Sequence, residues 1–169
     1  MSSCRSAWGR AIMPTIYFSG SISGGRADVP LYRRIVAALE EDGFEVLAGS
    51  VTSEAVGNGG EHLGAAAVFE RDLAWIAAAD VLVAEVSMPS IGVGYEVAAA
   101  RYRYGIPVIC LYRPAYTARC SAMIGGDAGI ETIEYRESAF GEMLAALREA
   151  LRRSVNKSRS GTVTCDAQP

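Results

Sequence analysis

Apolar residues are distributed along this chain in two alternating patterns. Short uninterrupted apolar runs alternate with longer stretches in which apolar residues return every three or four positions. Thr15–Gly20 (TIYFSG) is a β-rich run closed by glycine. Asp28 then stands where an N-cap belongs, with Pro30 in the first turn. Leu31, Ile35 and Leu39 follow at helical spacing until Gly43. Phe44–Leu47 (FEVL) predicts a second strand, and His62–Ala79 predicts a long Ala-rich helix with Val68, Phe69, Leu73 and Ile76 on its apolar side. Asp80–Val86 (DVLVAEV) and Pro107–Tyr112 (PVICLY) are nearly all apolar, the kind of strand that a parallel sheet buries on both faces. Gly94–Tyr104 reads as helix, Ile130–Tyr135 as a weaker strand, and Ser138–Arg153 as a closing amphipathic helix.

This βαβα order predicts an α/β fold: one domain, a doubly wound, mostly parallel five-stranded sheet (Rossmann-like or flavodoxin-like) with helices on both faces. The domain is expected over residues 14–154, between an N-terminal extension (1–13) and a tail (155–169). From Asn156 that tail is rich in Ser, Lys, Thr and Gly and reads as disordered. Right-handed connections place the ligand crevice beyond the C-terminal strand ends. The loops leaving those ends are Ser19–Arg26, Ser87–Gly94 and Arg113–Gly126.

Composition narrows the partners. The 169 residues are 50% apolar and carry a net charge of −3, with no basic stripe, which argues against a nucleic-acid polymer. A single nucleotide remains open, because backbone amides can hold one phosphate. No apolar run approaches the ~20 residues of a membrane-spanning helix, and residues 1–13 lack the apolar core of a secretory signal. A cytoplasmic (or also nuclear) location is expected. Cys4, Cys110, Cys120 and Cys165 show no metal-ligand spacing and read as free thiols of a reducing compartment. With His62 as the one imidazole, neither a His-based metal site nor a Ser-His-Asp triad is expected, and no cofactor is implied.

Two loops carry candidate chemistry. The run Ser19-Gly20-Ser21-Ile22-Ser23-Gly24-Gly25-Arg26 offers amides and hydroxyls to an anion, although a plain Gly/Ser turn reads the same way. It is neither GxGxxG nor a Walker loop. The run Ser87–Glu96 follows a buried strand and opens a helix. Ser90 and the amides of Gly92 and Gly94 can face an anion, and Glu96 is expected in the first helical turn, where the positive helix end stabilises a carboxylate. A held, ionised carboxylate suits a glycosidic nucleophile, but a first-turn glutamate can equally just complement the helix dipole. Tyr17 on the first strand and Asp72 within the third predicted helix stretch are the other candidates. Their bland readings are a core tyrosine and a solvated helix face.

Taken together, these blocks resemble one family. Tyr17–Arg26 is similar to the opening YFxGSIxGGR of the 2′-deoxynucleoside 5′-phosphate N-hydrolases (the Rcl-like enzymes), within the nucleoside 2-deoxyribosyltransferase superfamily. Glu70–Trp75 resembles their ExDLxW, Asp80–Val86 their ADVxVAEV, and Pro89–Glu96 their PSxGVGYE. Cys110–Pro114 resembles CLxRP, and Ser121–Ile124 resembles SAMI. The likeness runs in order over roughly residues 15–136. It implies a homodimer and a deoxynucleoside 5′-monophosphate substrate. Glu96 would be the nucleophile at C1′, and Asp72 would assist departure and protonation of the base. Tyr17 would hold Glu96 and crowd the 2′ position. Gly20, Ser21, Ile22, Ser23, Gly24, Gly25, Arg26, Ser90, Gly92, Gly94 and Met123 would surround the substrate, with Ser121 reaching the phosphate of the neighbouring subunit. Two positions depart from the pattern: Ser23 where many relatives carry Arg, and Ser50 where some have His near the base.

Three other readings compete. A nucleoside 2-deoxyribosyltransferase would pass the sugar to a second base, but the phosphate-suited loops favour the hydrolase. A lysine-decarboxylase-like phosphoribohydrolase would show PGGxGTxxE, which is missing here. A nucleotide-binding module without catalysis would have no use for Glu96, Asp72 and Tyr17 together.

Overall fold

Five parallel strands in the order β2-β1-β3-β4-β5 make the sheet of this protein. The computed structural model describes residues 13–22, 27–52, 63–115 and 120–160. The strands are β1 (Thr15–Gly20), β2 (Glu45–Leu47), β3 (Val81–Glu85), β4 (Val108–Tyr112) and β5 (Ile130–Glu134). The helices are α1 (Val29–Glu41), α2 (Ala65–Ala78), α3 (Ile91–Ala98), the short α4 (Ala122–Gly125) and α5 (Phe140–Ser160). This strand order is the flavodoxin-like one, as the alternation of the chain predicts. It reverses direction between β1 and β3, so a crevice opens beyond Gly20 and Glu85, which are register partners at the two strand ends.

The central strands are buried on both sides, and their side chains alternate between two cores. Ile16, Phe18, Val81, Val83, Ile109 and Leu111 pack under α1 and α5, against Tyr32, Ile35, Leu39, Leu147 and Leu151. Tyr17, Leu82, Ala84 and Cys110 face α2 and α3, against Leu73, Ile76, Val93 and Val97. Cys110 and Cys120 are free thiols. Among the described residues no helix is long and apolar enough to cross a membrane.

Several elements differ from the sequence reading. Asp28 does occupy the N-cap position of α1, but its side chain makes no capping bond; the carboxylate goes to Arg113 instead. On α2, Leu73 and Ile76 are buried, whereas Phe69 is 49% exposed. The helix runs antiparallel to the strands, so its first turns overhang the C-terminal sheet edge, where Phe69 meets the ring of Tyr95 instead of a strand.

The helix expected from Gly94 starts at Ile91. Gly92 and Gly94 lower helix propensity, but the Ser90 hydroxyl accepts from the Val93 N–H (3.4 Å) and caps the helix ahead of them. Beyond Ala98 the helix widens into a π-helical segment, Ala99–Tyr104, which ends at Gly105 with φ +66°. Finally, α5 runs to Ser160, past the point where the tail was expected to begin. Val155 continues the buried row Leu147–Leu151–Val155 at four-residue spacing and carries the helix beyond Arg153.

Candidate active site

A carboxylate cluster lies at the C-terminal edge of the sheet, on the α2/α3 face. Tyr17 (4% exposed) and Ser19 (1% exposed) point from the same side of β1, two residues apart. The Tyr17 phenol donates to Glu96 Oε1 (3.0 Å), and the Ser19 hydroxyl donates to Glu96 Oε2. Each carboxylate oxygen therefore has one side-chain donor, and the plane of the group is fixed.

Asp72, on α2, completes the cluster. Arg71 Nε bonds its Oδ1 (2.9 Å), and the Arg71 guanidinium lies 4.7 Å from the centre of the Trp75 ring. Trp75 in turn backs onto Gly49 (φ +49°), where a Cβ would come within 3.1 Å of the indole. Gly49 opens the 3₁₀ turn Gly49–Thr52, which also carries Ser50.

The electrostatics follow from burial. Burial pushes the Glu96 carboxyl above its ordinary range, and the negative charge of Asp72 adds to the rise. Hydrogen bonds from Ser19 and Tyr17, and the charge of Arg71, oppose it. The Tyr17 phenol is pushed up by burial and by the charges of Glu96 and Asp72, so at neutral pH it stays protonated and donates.

Glu96 does not sit in the first helical turn. It is the sixth residue of α3, and helix-end stabilisation fades within one turn. Side-chain donors replace the helix dipole as what holds it.

The remaining predicted residues fall into four groups. Gly20 ends β1, and a Cβ there would come within 3.0 Å of Tyr32 and 3.1 Å of Val51, which explains glycine at the crevice floor. Ser21 is buried and Ile22 half-buried beside it. Ser23, Gly24, Gly25 and Arg26, like His62, Cys4 and Cys165, lie outside the described residues. Ser90, Gly94, Ser121 and Met123 line a cavity of about 620 Å³.

That cavity does not reach Glu96. Its α3 lining is Ile91, Val93, Gly94, Val97 and Ala98, without Glu96; Gly94 and Ala98 lie about 200° around the helix from Glu96 at ~100° per residue. Gly92, by contrast, is one turn before Glu96 on the same side. No atom beyond Ser90 Oγ, at 3.8 Å, would meet a Cβ there. The helix N-terminus and the carboxylate thus share one open face, ~6 Å apart along the axis.

Sequence reasoning missed two members of the cluster, Ser19 and Arg71. The two-residue strand repeat already puts Ser19 beside Tyr17, but its place in a Gly/Ser run made it read as part of an anion loop. No sequence signal marked Arg71. Among the described residues, no group of three or more His, Cys, Asp or Glu is placed to hold a metal ion.

The chain as a whole is similar to known proteins. The sequence profile of the nucleoside 2-deoxyribosyltransferases aligns with residues 16–150. The chain belongs to that family. It is 40% identical over 164 residues to the 5-hydroxymethyl-dUMP N-hydrolase of Mus musculus, covering 94% of each chain. With the Homo sapiens protein of the same name it shares 42% over 136 residues, 79% of this chain and 77% of that one. Among solved structures, the CMP N-glycosidase of Clostridium botulinum has the same fold (TM-score 0.56, 18% identity, 80% of this chain and 98% of that one). Family membership fits the likeness that the six sequence blocks carried.

Proposed function

We propose that this chain hydrolyses the N-glycosidic bond of 2′-deoxynucleoside 5′-monophosphates, releasing the nucleobase and 2-deoxyribose 5-phosphate. The observation that carries the reading is the partly dehydrated Glu96 carboxylate, oriented by Tyr17 and Ser19 beside Asp72. The names of the mouse and human relatives support the substrate class.

In the proposed mechanism an ionised Glu96 oxygen attacks C1′ as the C1′–N bond breaks. The electron pair leaves with the base, whose departure and protonation Asp72 assists. Water then attacks C1′ of the glutamyl ester, losing a proton and restoring the carboxylate. Tyr17 holds Glu96 and crowds the 2′ position. The 5′-phosphate sits at the Ser21–Arg26 loop and the α3 N-terminus, where Ser90 and Gly92 meet it; the Gly94 N–H, expected there too, is bonded instead to the Ser90 carbonyl (3.1 Å). The single turn between Gly92 and Glu96 suits the reach from 5′-phosphate to C1′ across one deoxyribose.

The active unit in this reading is a homodimer. Ile91 (96% exposed), Met123 (85%) and Tyr102 (73%) flank the 620 Å³ cavity and form an apolar face suited to a second copy. Ser121 stands at that face, away from its own Glu96, and would reach the partner's substrate. Mixing inactive Glu96→Ala chains with impaired Ser121→Ala chains should therefore restore activity, since a mixed dimer holds one intact site. A fully active monomer removes the shared site.

Incubation with each of the four common deoxynucleoside monophosphates and with 5-hydroxymethyl-dUMP, followed by detection of free base, tests the activity itself. The family also contains deoxyribosyltransferases, and that alternative predicts incorporation of an added second base in place of water. Binding without base release would mark a non-catalytic module.

A further inference from the structure

On the opposite face of the sheet from Glu96, a second set of charged side chains is buried where the strands end. Arg113, the first residue after β4, is 2% exposed. Its Nη1 bonds Asp28 Oδ1 (3.0 Å) while Nη2 bonds Asp28 Oδ2, a two-pronged pair. Nε lies 3.4 Å from Glu85, which is fully buried, and Nη1 also bonds Glu137.

Ser87 joins the same cluster. Its hydroxyl accepts from the Arg113 backbone N–H (2.8 Å) and from Nε (3.2 Å) and donates to Glu85, which uses its full capacity. The Tyr135 phenol donates to Glu85 as well (3.1 Å).

One cation here faces three carboxylates, and burying such a set is costly. Burial raises the Glu85 carboxyl despite its donors. Packing alone is a poor reason for it, because apolar residues would fill the same space more cheaply.

Placement offers a better reason. Asp28 closes the loop that follows β1. Glu85 and Ser87 open the loop into α3, three residues before Ser90. Arg113 opens the loop after β4, and Tyr135 and Glu137 belong to the connection from β5 to α5. A single guanidinium thus joins the roots of four of the loops at the C-terminal edge of the sheet, the loop after β2 being the one it does not hold. Being enclosed by carboxylates, it is not itself an anion ligand.

We infer that Arg113 is a positioning residue for the substrate phosphate. By tying Asp28 to Ser87 and Glu85, it fixes the spacing between the loop after β1 and the loop entering α3. This rests on the reading above, in which those two loops share the 5′-phosphate.

The decisive variant is Ser87→Ala, which removes one hydroxyl from the clasp and leaves every charge paired. Arg113→Lys, which keeps the charge and loses the fork, is the companion. The measurements are kcat and KM for a deoxynucleoside 5′-monophosphate and for the matching deoxynucleoside, with the Kd of 2-deoxyribose 5-phosphate by calorimetry and thermal melts to verify folding. Ser87→Ala should raise KM and Kd for the phosphorylated ligands about tenfold, with Arg113→Lys raising them further. The kcat/KM for the deoxynucleoside should stay within about twofold, a selectivity that general loosening of the fold does not produce.

Equal losses on both substrates, or no loss on either, overturn the inference. If the wild-type chain releases no base, the proposed activity falls. The Kd arm then still decides the clasp: a Kd unchanged by Ser87→Ala, or no binding by the wild type, overturns it.

Discussion

Ser19→Ala is the most informative change at the nucleophile. Ser19 is 1% exposed and donates to Glu96 Oε2, so alanine removes a donor without exposing the strand or opening a large void. A hydrogen bond to a charged group contributes about 1.5–3 kcal/mol. At 1.36 kcal/mol per pH unit, its loss should raise the pKa of Glu96 by about one to two units. The direction is fixed by the chemistry: the donor favours the ionised carboxylate, and burial already pushes the other way. Ionised Glu96 is the attacking form, so the acid limb of kcat/KM should move to higher pH by that amount. Well above the limb, Tyr17 still orients the carboxylate and the rate should approach that of the wild type.

The assay is kcat/KM for one deoxynucleoside monophosphate from about pH 4 to about pH 9, where the limb reports the free enzyme. Using the same substrate for both proteins cancels the ionisation of the phosphate. A limb that stays in place, with the rate reduced equally at every pH, would mean that Ser19 only fills space. A shift to lower pH would refute the electrostatic account of the site.

Other expectations follow from the same cluster and its neighbours. Glu96→Gln should abolish base release and raise Tm at neutral pH, because the raised folded-state pKa means that the ionised carboxylate costs stability there. That gain should vanish as pH falls below the unfolded value, about 4.3, and melts at the two pH values check it. Tyr17→Phe should narrow the ratio of kcat/KM for a deoxynucleotide over its ribonucleotide, and an unchanged ratio places Tyr17 outside the sugar site. Deoxynucleosides should be cleaved at least ~100-fold less efficiently than their 5′-monophosphates, roughly 2.7 kcal/mol, with Ser90→Ala eroding the difference. Equal rates on the two substrates, with a second base incorporated, would identify a transferase instead.

Much of this architecture could be read from residue order. DVLVAEV and PVICLY announce strands buried on both faces, and the spacing of Leu31, Ile35 and Leu39 between Pro30 and Gly43 announces α1. What escaped was decided partly by one local cap and otherwise by contacts distant in sequence. The start of α3 turned on a serine cap that outweighs two glycines, and the end of α5 on Val155 finding a place in the core. Tyr17 and Glu96 were legible because both lie in distinctive blocks. Ser19 and Arg71 occupy unmarked positions in such blocks, and only the tertiary structure brings them to the carboxylates. The role of Arg113 was hidden for the same reason, since its partners Asp28 and Glu137 come from opposite ends of the domain.

The position of β1 bears on how the chain is made. It pairs with β2 on one edge and with β3 on the other, and Ile16, Tyr17 and Phe18 are buried on both faces. Synthesis runs from the N-terminus, so β2 emerges soon after β1, whereas β3 begins only at Val81. Throughout that interval a sticky, apolar strand has an open edge, a template for joining another nascent chain. Closure comes when Thr15 and Asp80 exchange their bonds, the Thr15 N–H to the Asp80 carboxylate and the Asp80 N–H to the Thr15 carbonyl. A nascent chain from which β2 has emerged and β3 has not therefore exposes the edge most open to pairing with a neighbour, and that exposure ends once Val81–Glu85 leaves the ribosome.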